Sequence, residues 1–265
     1  MKAKNGATRL GFGCAAIPGP LTRREALTLL ETAFACGVRH FDTAGMYSSG
    51  DSAGVLGHLV RQRRAELTLV TKAGIAPTSR LMRGLNKFAG AFHLAQPSPA
   101  MGRFEVTQVL QSVEASLRNL KTDHVEALLL HEIRAHEIHD GLKRLLETLR
   151  KEGKVGVYGI ATSIEESEAV IAAHPDLCDI VQVAAPWLDR QRTLPANTRL
   201  IIHSVLGARL ASLLSRLKTE DHVARRFKEE TALTADDAGQ IGRLVIVKPR
   251  VAPQPRPQGG REPAE

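Results

Sequence analysis

Four side chains of complementary acid–base character sit at or just beyond the ends of short apolar runs. Asp42 follows Val38-Arg39-His40-Phe41, Lys72 follows Leu67-Thr68-Leu69-Val70-Thr71, His131 follows Ala127-Leu128-Leu129-Leu130, and Tyr47 stands five residues beyond Asp42. Singly, each has an ordinary explanation. An Asp after a strand caps a turn, a Lys is solvated, and a His after an aliphatic run is a hydrogen-bonded core residue. Converging on one rim, an acid, a cation, a phenol and an imidazole form a constellation for moving protons. A phenol with an intrinsic pKa of about 10 becomes a usable acid or base when a neighbouring ammonium stabilises its phenolate.

Such convergence needs a scaffold that brings strand ends together. Strand-like runs occupy Arg9 to Phe12, Val38 to Phe41, Leu67 to Thr71, Val125 to Leu130, Val155 to Ile160, Asp179 to Val183, Leu200 to Ile202 and Leu244 to Val247. Stretches with helical spacing separate them at Arg23 to Ala35, Ser52 to Arg63, Phe104 to Leu120, Asp140 to Glu152, Glu165 to Ala173 and Leu206 to Leu217. Eight strands alternating with helices predict an α/β protein, a (β/α)8 TIM barrel of parallel strands, with the chemistry at their C-terminal ends. The competing architecture is an open doubly wound sheet, because Gly11-Phe12-Gly13-Cys14-Ala15-Ala16 satisfies a dinucleotide fingerprint. The fingerprint needs a helix to start at its glycines, and Ile17-Pro18-Gly19-Pro20 follows at once and would break one.

Two stretches depart from the alternation. Gly74 to Gly102 is a long connection with several prolines and glycines, expected to be a functional lid or binding loop. Beyond the barrel, assigned to residues 1–247, the Pro-rich tail 248–265 is expected to be disordered.

Composition narrows the class further. The 265 residues, 43% hydrophobic and 24% charged, suffice for a sizeable core without staples. Three scattered cysteines make no disulfide framework, and no Cys/His cluster has metal-site spacing. A reduced, cytoplasmic setting is expected. No apolar run approaches membrane-spanning length, so no membrane partner is expected, and the first residues lack the h-region of a signal peptide. A net charge of +8 would suit nucleic acid, but the basic residues are dispersed and aromatics are only 4%, so no nucleic-acid partner is expected.

Several of these segments resemble the aldo-keto reductases. Phe41-Asp42-Thr43-Ala44-Gly45-Met46-Tyr47 is similar to that family's FDTA..Y segment, and Thr71-Lys72-Ala73-Gly74 to its TK.G. Ser116 to Asp123 resembles its SL..L..D, Val125 to His131 its DLLLLH strand, and Gly153-Lys154-Val155 with Gly159 the strand after it. The resemblance runs over roughly residues 9–210. It implies a catalytic tetrad of Asp42, Tyr47, Lys72 and His131, working with NADP(H) or NAD(H) on a small-molecule carbonyl or sugar. In that analogy Tyr47 is the general acid or base, Lys72, paired with Asp42, lowers its pKa, and His131 orients the carbonyl.

The same resemblance implies cofactor contacts, with departures. The family's Ser-Asn pair for the nicotinamide carboxamide is replaced by Ala161 and Thr162, followed by Ser163; Gln182 matches a carboxamide-binding Gln. His203 stands where a Tyr ring stacks on the nicotinamide, and Ser204-Val205-Leu206-Gly207 stands in for SPLG, so Ser204 and Leu206 join the cofactor set. The Glu of the family's YG.G.SE..LG is missing. After the eighth strand the helix that carries adenosine-phosphate ligands has no sequence to form it; Lys248 and Arg250 are the basic residues left to reach a phosphate. The last βα unit is therefore expected to be incomplete or altered.

Two functions fit these features. One is an NAD(P)-dependent oxidoreductase, with a lean toward aldose dehydrogenases. Phe88, Phe92, His93 and Phe104 have two readings, as the wall of its substrate pocket or as packing for the loop itself. The other is a barrel that has lost productive cofactor binding and acts as a binding or regulatory protein. The complete tetrad favours the enzyme, because barrel stability does not require Tyr47 and Lys72 on one rim.

Overall fold

Runs rich in Val, Ile and Leu and too short for helices become strands covered on both sides. The computed structural model describes residues 9–75, 104–184, 198–204 and 244–248, with isolated positions between 195 and 225. Its strands are β1 (Arg9–Gly13), β2 (His40–Asp42), β3 (Thr68–Ala73), β4 (Val125–His131), β5 (Val155–Ala161), β6 (Ile180–Ala184), β7 (Arg199–His203) and β8 (Leu244–Lys248). They close into a barrel in sequence order. Between them lie α1 (Arg23–Ala35), α2 (Asp51–Arg63), α3 (Val106–Leu120), α4 (Asp140–Lys151) and α5 (Ile164–Ala173).

The two sides of each strand do different work. Val70, Ala127, Leu129, Ala161, Ile180 and Ile201, all from strands, pack with one another and fill the barrel interior. Their neighbours Leu69, Leu128, Leu130, Val181 and Ile202 join helix residues in the larger core outside the ring. Burial on both faces is why these strands read as continuous apolar runs rather than alternating ones. The helices present single stripes to that core, such as Leu142, Leu145, Leu146 and Leu149 of α4. A capping box sets the start of α1: the Glu25 backbone N–H donates to Thr22 Oγ1 at 3.3 Å, and the Thr22 N–H donates to Glu25 Oε2 at 2.7 Å.

At Gly159 of β5, a Cβ would stand 1.7 Å from the carbonyl oxygen of Ile180 in β6. Only glycine lets β5 and β6 approach this closely, and their pairing sets the positions of Ala161 and Gln182 opposite each other.

The dinucleotide-fingerprint alternative fails as its prolines require. Gly11 and Gly13 belong to β1, and the next helix starts only at Arg23. The eighth strand departs from the expected topology. β1 to β7 are parallel, but β8 runs antiparallel to both its neighbours, with Leu244 opposite Phe12 and Val247 opposite Arg9. An apolar run identifies a strand but carries no direction. A parallel β8 would need a return crossover after β7, whereas an antiparallel one begins at the end of the barrel where β7 finishes. Of the expected helix from Leu206 to Leu217, Ser215 and Arg216 are helical and the rest lies outside the described residues. Most of the Gly74 to Gly102 connection and everything after residue 248 lie outside them too.

Candidate active site

The last inward-facing positions of the strands form the floor of a cleft of about 220 Å³ at the C-terminal end of the barrel. Asp42 closes β2, Lys72 is the penultimate residue of β3, and His131, Ala161 and His203 close β4, β5 and β7. Tyr47 comes from a short 3₁₀ turn, Tyr47–Gly50, leading into α2. The cleft is lined by all four of Asp42, Tyr47, Lys72 and His131, together with Thr162, Gln182, His203 and Ser204; Gly13, Ala15 and Ala16 make its wall on the β1 side. Leu206 lies outside the described residues.

Loops after β1 and β2 are locked beneath the site. Ser52, at the start of α2, donates to the carbonyl of Cys14 at 2.8 Å and meets Thr43 Oγ1 at 3.0 Å. Backbone bonds extend the sheet beyond its strands, from Cys14 N–H to Asp42 O at 2.8 Å and from Thr43 N–H to Val70 O at 2.9 Å.

Lys72 is buried, and its ammonium has three acceptors for its three protons. It forms an ion pair with Asp42 Oδ1, donates to Thr43 O at 3.2 Å, and hydrogen-bonds the Tyr47 hydroxyl. The same ammonium lies 4.9 Å from the centre of the Tyr47 ring. Burial alone would lower the Lys72 pKa, but the Asp42 carboxylate and Tyr47 outweigh it and hold the group above the usual lysine value. The other Asp42 oxygen, Oδ2, accepts from Gln182 Nε2 at 2.7 Å.

Because Lys72 donates to the Tyr47 oxygen, the phenolic proton is left to point elsewhere. Its acidity differs from the sequence-based expectation. Lys72 does pull the Tyr47 pKa down, but burial, aided by the Asp42 charge, pushes harder in the other direction and leaves it above the usual phenol value. Tyr47 is thus a neutral proton donor at physiological pH. The His131 ring meets the Tyr47 ring edge-on, with centres 6.0 Å apart. Burial first, and the Lys72 charge second, lower its pKa to about 4, so it is an uncharged imidazole whose one N–H can donate to an oxygen.

The remaining sequence candidates divide. Thr162 Oγ1 donates to Glu132 Oε2 at 3.5 Å, and His203 Nδ1 meets Ser204 Oγ at 3.0 Å. Ser163 is occupied elsewhere, capping α5 by accepting from the Glu166 N–H at 3.2 Å. Phe104, a candidate for the pocket wall, instead packs in the core and presses its ring against Gly74. Lys248 is also corrected. Antiparallel β8 carries its backbone to the level of Leu200, near the start of β7 and the opposite end of the barrel from the cleft. Arg250 lies outside the described residues.

Glu132 is a charged lining residue that sequence reasoning passed over, as it did Gly13, Ala15 and Ala16. It follows His131 with φ of 59°, a left-handed conformation rare for a non-glycine residue, and burial raises its carboxyl pKa. Its place directly after a rim histidine was the signal available. Among the described residues no cluster of His, Cys, Asp and Glu could hold a metal ion, and no helix is long and apolar enough to cross a membrane.

Fold and rim together place the chain among α/β barrels whose polar groups gather at the C-terminal face. Within that class one family matches: residues 9–198 fit the Aldo/keto reductase family, to which the chain belongs. It is 30% identical over 188 residues to the D-threo-aldose 1-dehydrogenase of a Pseudomonas species, covering 67% of this chain and 56% of that protein. It is 28% identical over 155 residues to the uncharacterized oxidoreductase YqkF of Bacillus subtilis, covering 58% and 45%. The fold resembles that of an aldo/keto reductase from Klebsiella pneumoniae in complex with NADP and acetate, with a TM-score of 0.56 at 21% identity, covering 85% of this chain and 73% of that one. The chain spans about half the length of these two curated relatives.

Proposed function

We propose that the protein is an NAD(P)-dependent oxidoreductase that interconverts a small carbonyl compound and its alcohol, with Tyr47 as the general acid and base. The observation that carries this reading is the buried Lys72 ammonium, saturated by Asp42, Thr43 O and the Tyr47 hydroxyl, beside a neutral His131. The residues at the cleft suit the nicotinamide end of the cofactor. Thr162 and Gln182 offer a hydroxyl and a carboxamide for an amide group, and His203 offers a flat ring for stacking. When bound, the cofactor supplies or accepts the hydride at the carbonyl carbon.

The chain's own groups then handle the oxygen. In reduction, His131 hydrogen-bonds the carbonyl oxygen and Tyr47 gives it the phenolic proton, completing the alcohol. The phenolate left behind is held by the Lys72 ammonium until it regains a proton from water. In oxidation, that phenolate takes the alcohol's proton. The 30% identity to a D-threo-aldose 1-dehydrogenase supports a sugar or another small hydroxylated aldehyde as substrate.

Calorimetric titration with NADPH and with NADH, followed by turnover assays on aldehydes, ketones and aldoses, tests the proposal. Tyr47→Phe is expected to abolish turnover while changing cofactor affinity by less than about twofold. An active Phe variant removes Tyr47 from its role. A folded chain that binds neither nucleotide points instead to a barrel with a binding or regulatory function.

A further inference from the structure

The geometry points to a second duty for Gln182: it is a positioning residue of the proton-donor centre, holding Asp42 from the side opposite Lys72 and so setting how strongly Lys72 acts on Tyr47. This inference rests on the proposed role of Tyr47 and goes beyond amide recognition by Gln182.

The bond is specific. Gln182 Nε2 donates to Asp42 Oδ2 at 2.7 Å, and both residues are only 3% exposed, so water does not compete for either partner. Asp42 is thus shared, Oδ1 with the ammonium and Oδ2 with the amide. An amide N–H pointed at a carboxylate takes up part of its negative charge. Without that donor, Asp42 would hold the Lys72 charge more completely and would also oppose a phenolate more strongly. Both changes disfavour ionised Tyr47. The groups facing the centre are Cys14 after β1, His40 and Asp42 of β2, Lys72 of β3, His131 of β4 and His203 of β7. Gln182 is the uncharged side chain that hydrogen-bonds the Asp42 side of the ion pair, as Tyr47 does the Lys72 side. Since Gln182 also lines the cleft, a ligand that drew its amide away would alter the acidity of Tyr47.

The chain has only two tyrosines, so the test can be read without cofactor. In a Tyr158→Phe background with ring-labelled tyrosine, the NMR titration reports Tyr47 alone. Gln182→Met keeps the volume and removes the donor. It is expected to move the Tyr47 midpoint up by about half a pH unit or more. An unchanged midpoint, with only weaker NADPH binding, would mean that Gln182 serves amide recognition alone and overturns the inference. Should the Met variant fail to fold, Gln182→Leu and the side-chain amide signal of Gln182 in the parent protein provide a second reading. That signal must move as Tyr47 titrates, and a stationary one overturns the inference equally. Because the titration involves neither nucleotide nor substrate, its result is separate from whether the protein is an oxidoreductase.

Discussion

A buried ion pair costs desolvation of both partners, and Asp42 with Lys72 repays that cost only through its extra hydrogen bonds to Thr43 O, Tyr47 and Gln182. Lys72→Met leaves a carboxylate buried beside Gln182 alone. We expect it to lower unfolding free energy by about 3–5 kcal/mol in urea titrations. Asp42→Asn combined with Lys72→Met should be less damaging than Lys72→Met alone; an additive double variant would mean that the pair is not coupled. His40, in the barrel below Asp42, gives a second prediction at this scale. Its Nε2 lacks a hydrogen-bond partner, and burial lowers its pKa to about 4 from 6.5. Between these values the unfolded chain takes up a proton that the fold excludes. Stability is therefore retained above pH 6.5 and declines as pH falls toward 4, by on the order of 3 kcal/mol from His40. His131 acts in the same direction. His40→Leu should fall less between pH 7 and pH 4.5, and an equal fall would assign the acid sensitivity to other groups.

Each secondary-structure element delivers its rim residue because its local sequence leaves little choice of limits. The expected helix from Arg23 to Ala35 has the same bounds in the structure. Pro18 and Pro20 bar an earlier start, and the Thr22–Glu25 box fixes the first turn. β1 to β7 run one or two residues further toward the rim than their apolar runs, because Lys72 and His131 remain paired in the sheet although they are polar. The contact between β5 and β6 depends on one missing side chain. Gly159→Ala would force a methyl into the Ile180 carbonyl, and we expect a loss of at least about 3 kcal/mol in thermal or urea unfolding. Any folded remainder should bind cofactor more weakly, since Thr162 directly follows β5 and Gln182 stands on β6, the two strands pushed apart. A neutral Ala variant would show that the strands can separate at little cost.

On the scale of the whole molecule, the reversed β8 decides which groups share an end of the barrel. Its first residue, Leu244, is level with the end of β1 at the cleft, and Lys248 is level with the beginning of β7. A strand that starts at the rim carries its own last residue, Lys248, away from the cleft. Lys248→Ala is therefore expected to leave NADPH affinity within about twofold. A tenfold loss measured by calorimetry would require β8 to run the other way.

The candidate site was legible in the sequence as far as local rules extend. Residue type at a strand end, with a period of two, places Asp42, Lys72 and His131 inward on one rim, and the five-residue step to Tyr47 adds the phenol. Alternation of apolar runs and helical stretches was enough for the barrel and for the limits of the described elements to within one or two residues. Closure of the ring decided the rest. The hydrogen bond from Gln182 to Asp42 spans 140 residues, the pressure of burial on Tyr47 depends on every neighbour around the cleft, and the direction of β8 shows only in its pairing with β1 and β7. Local patterning fixes which way a side chain faces within its own element. Partners, desolvation and strand direction are set between elements, where only tertiary packing acts.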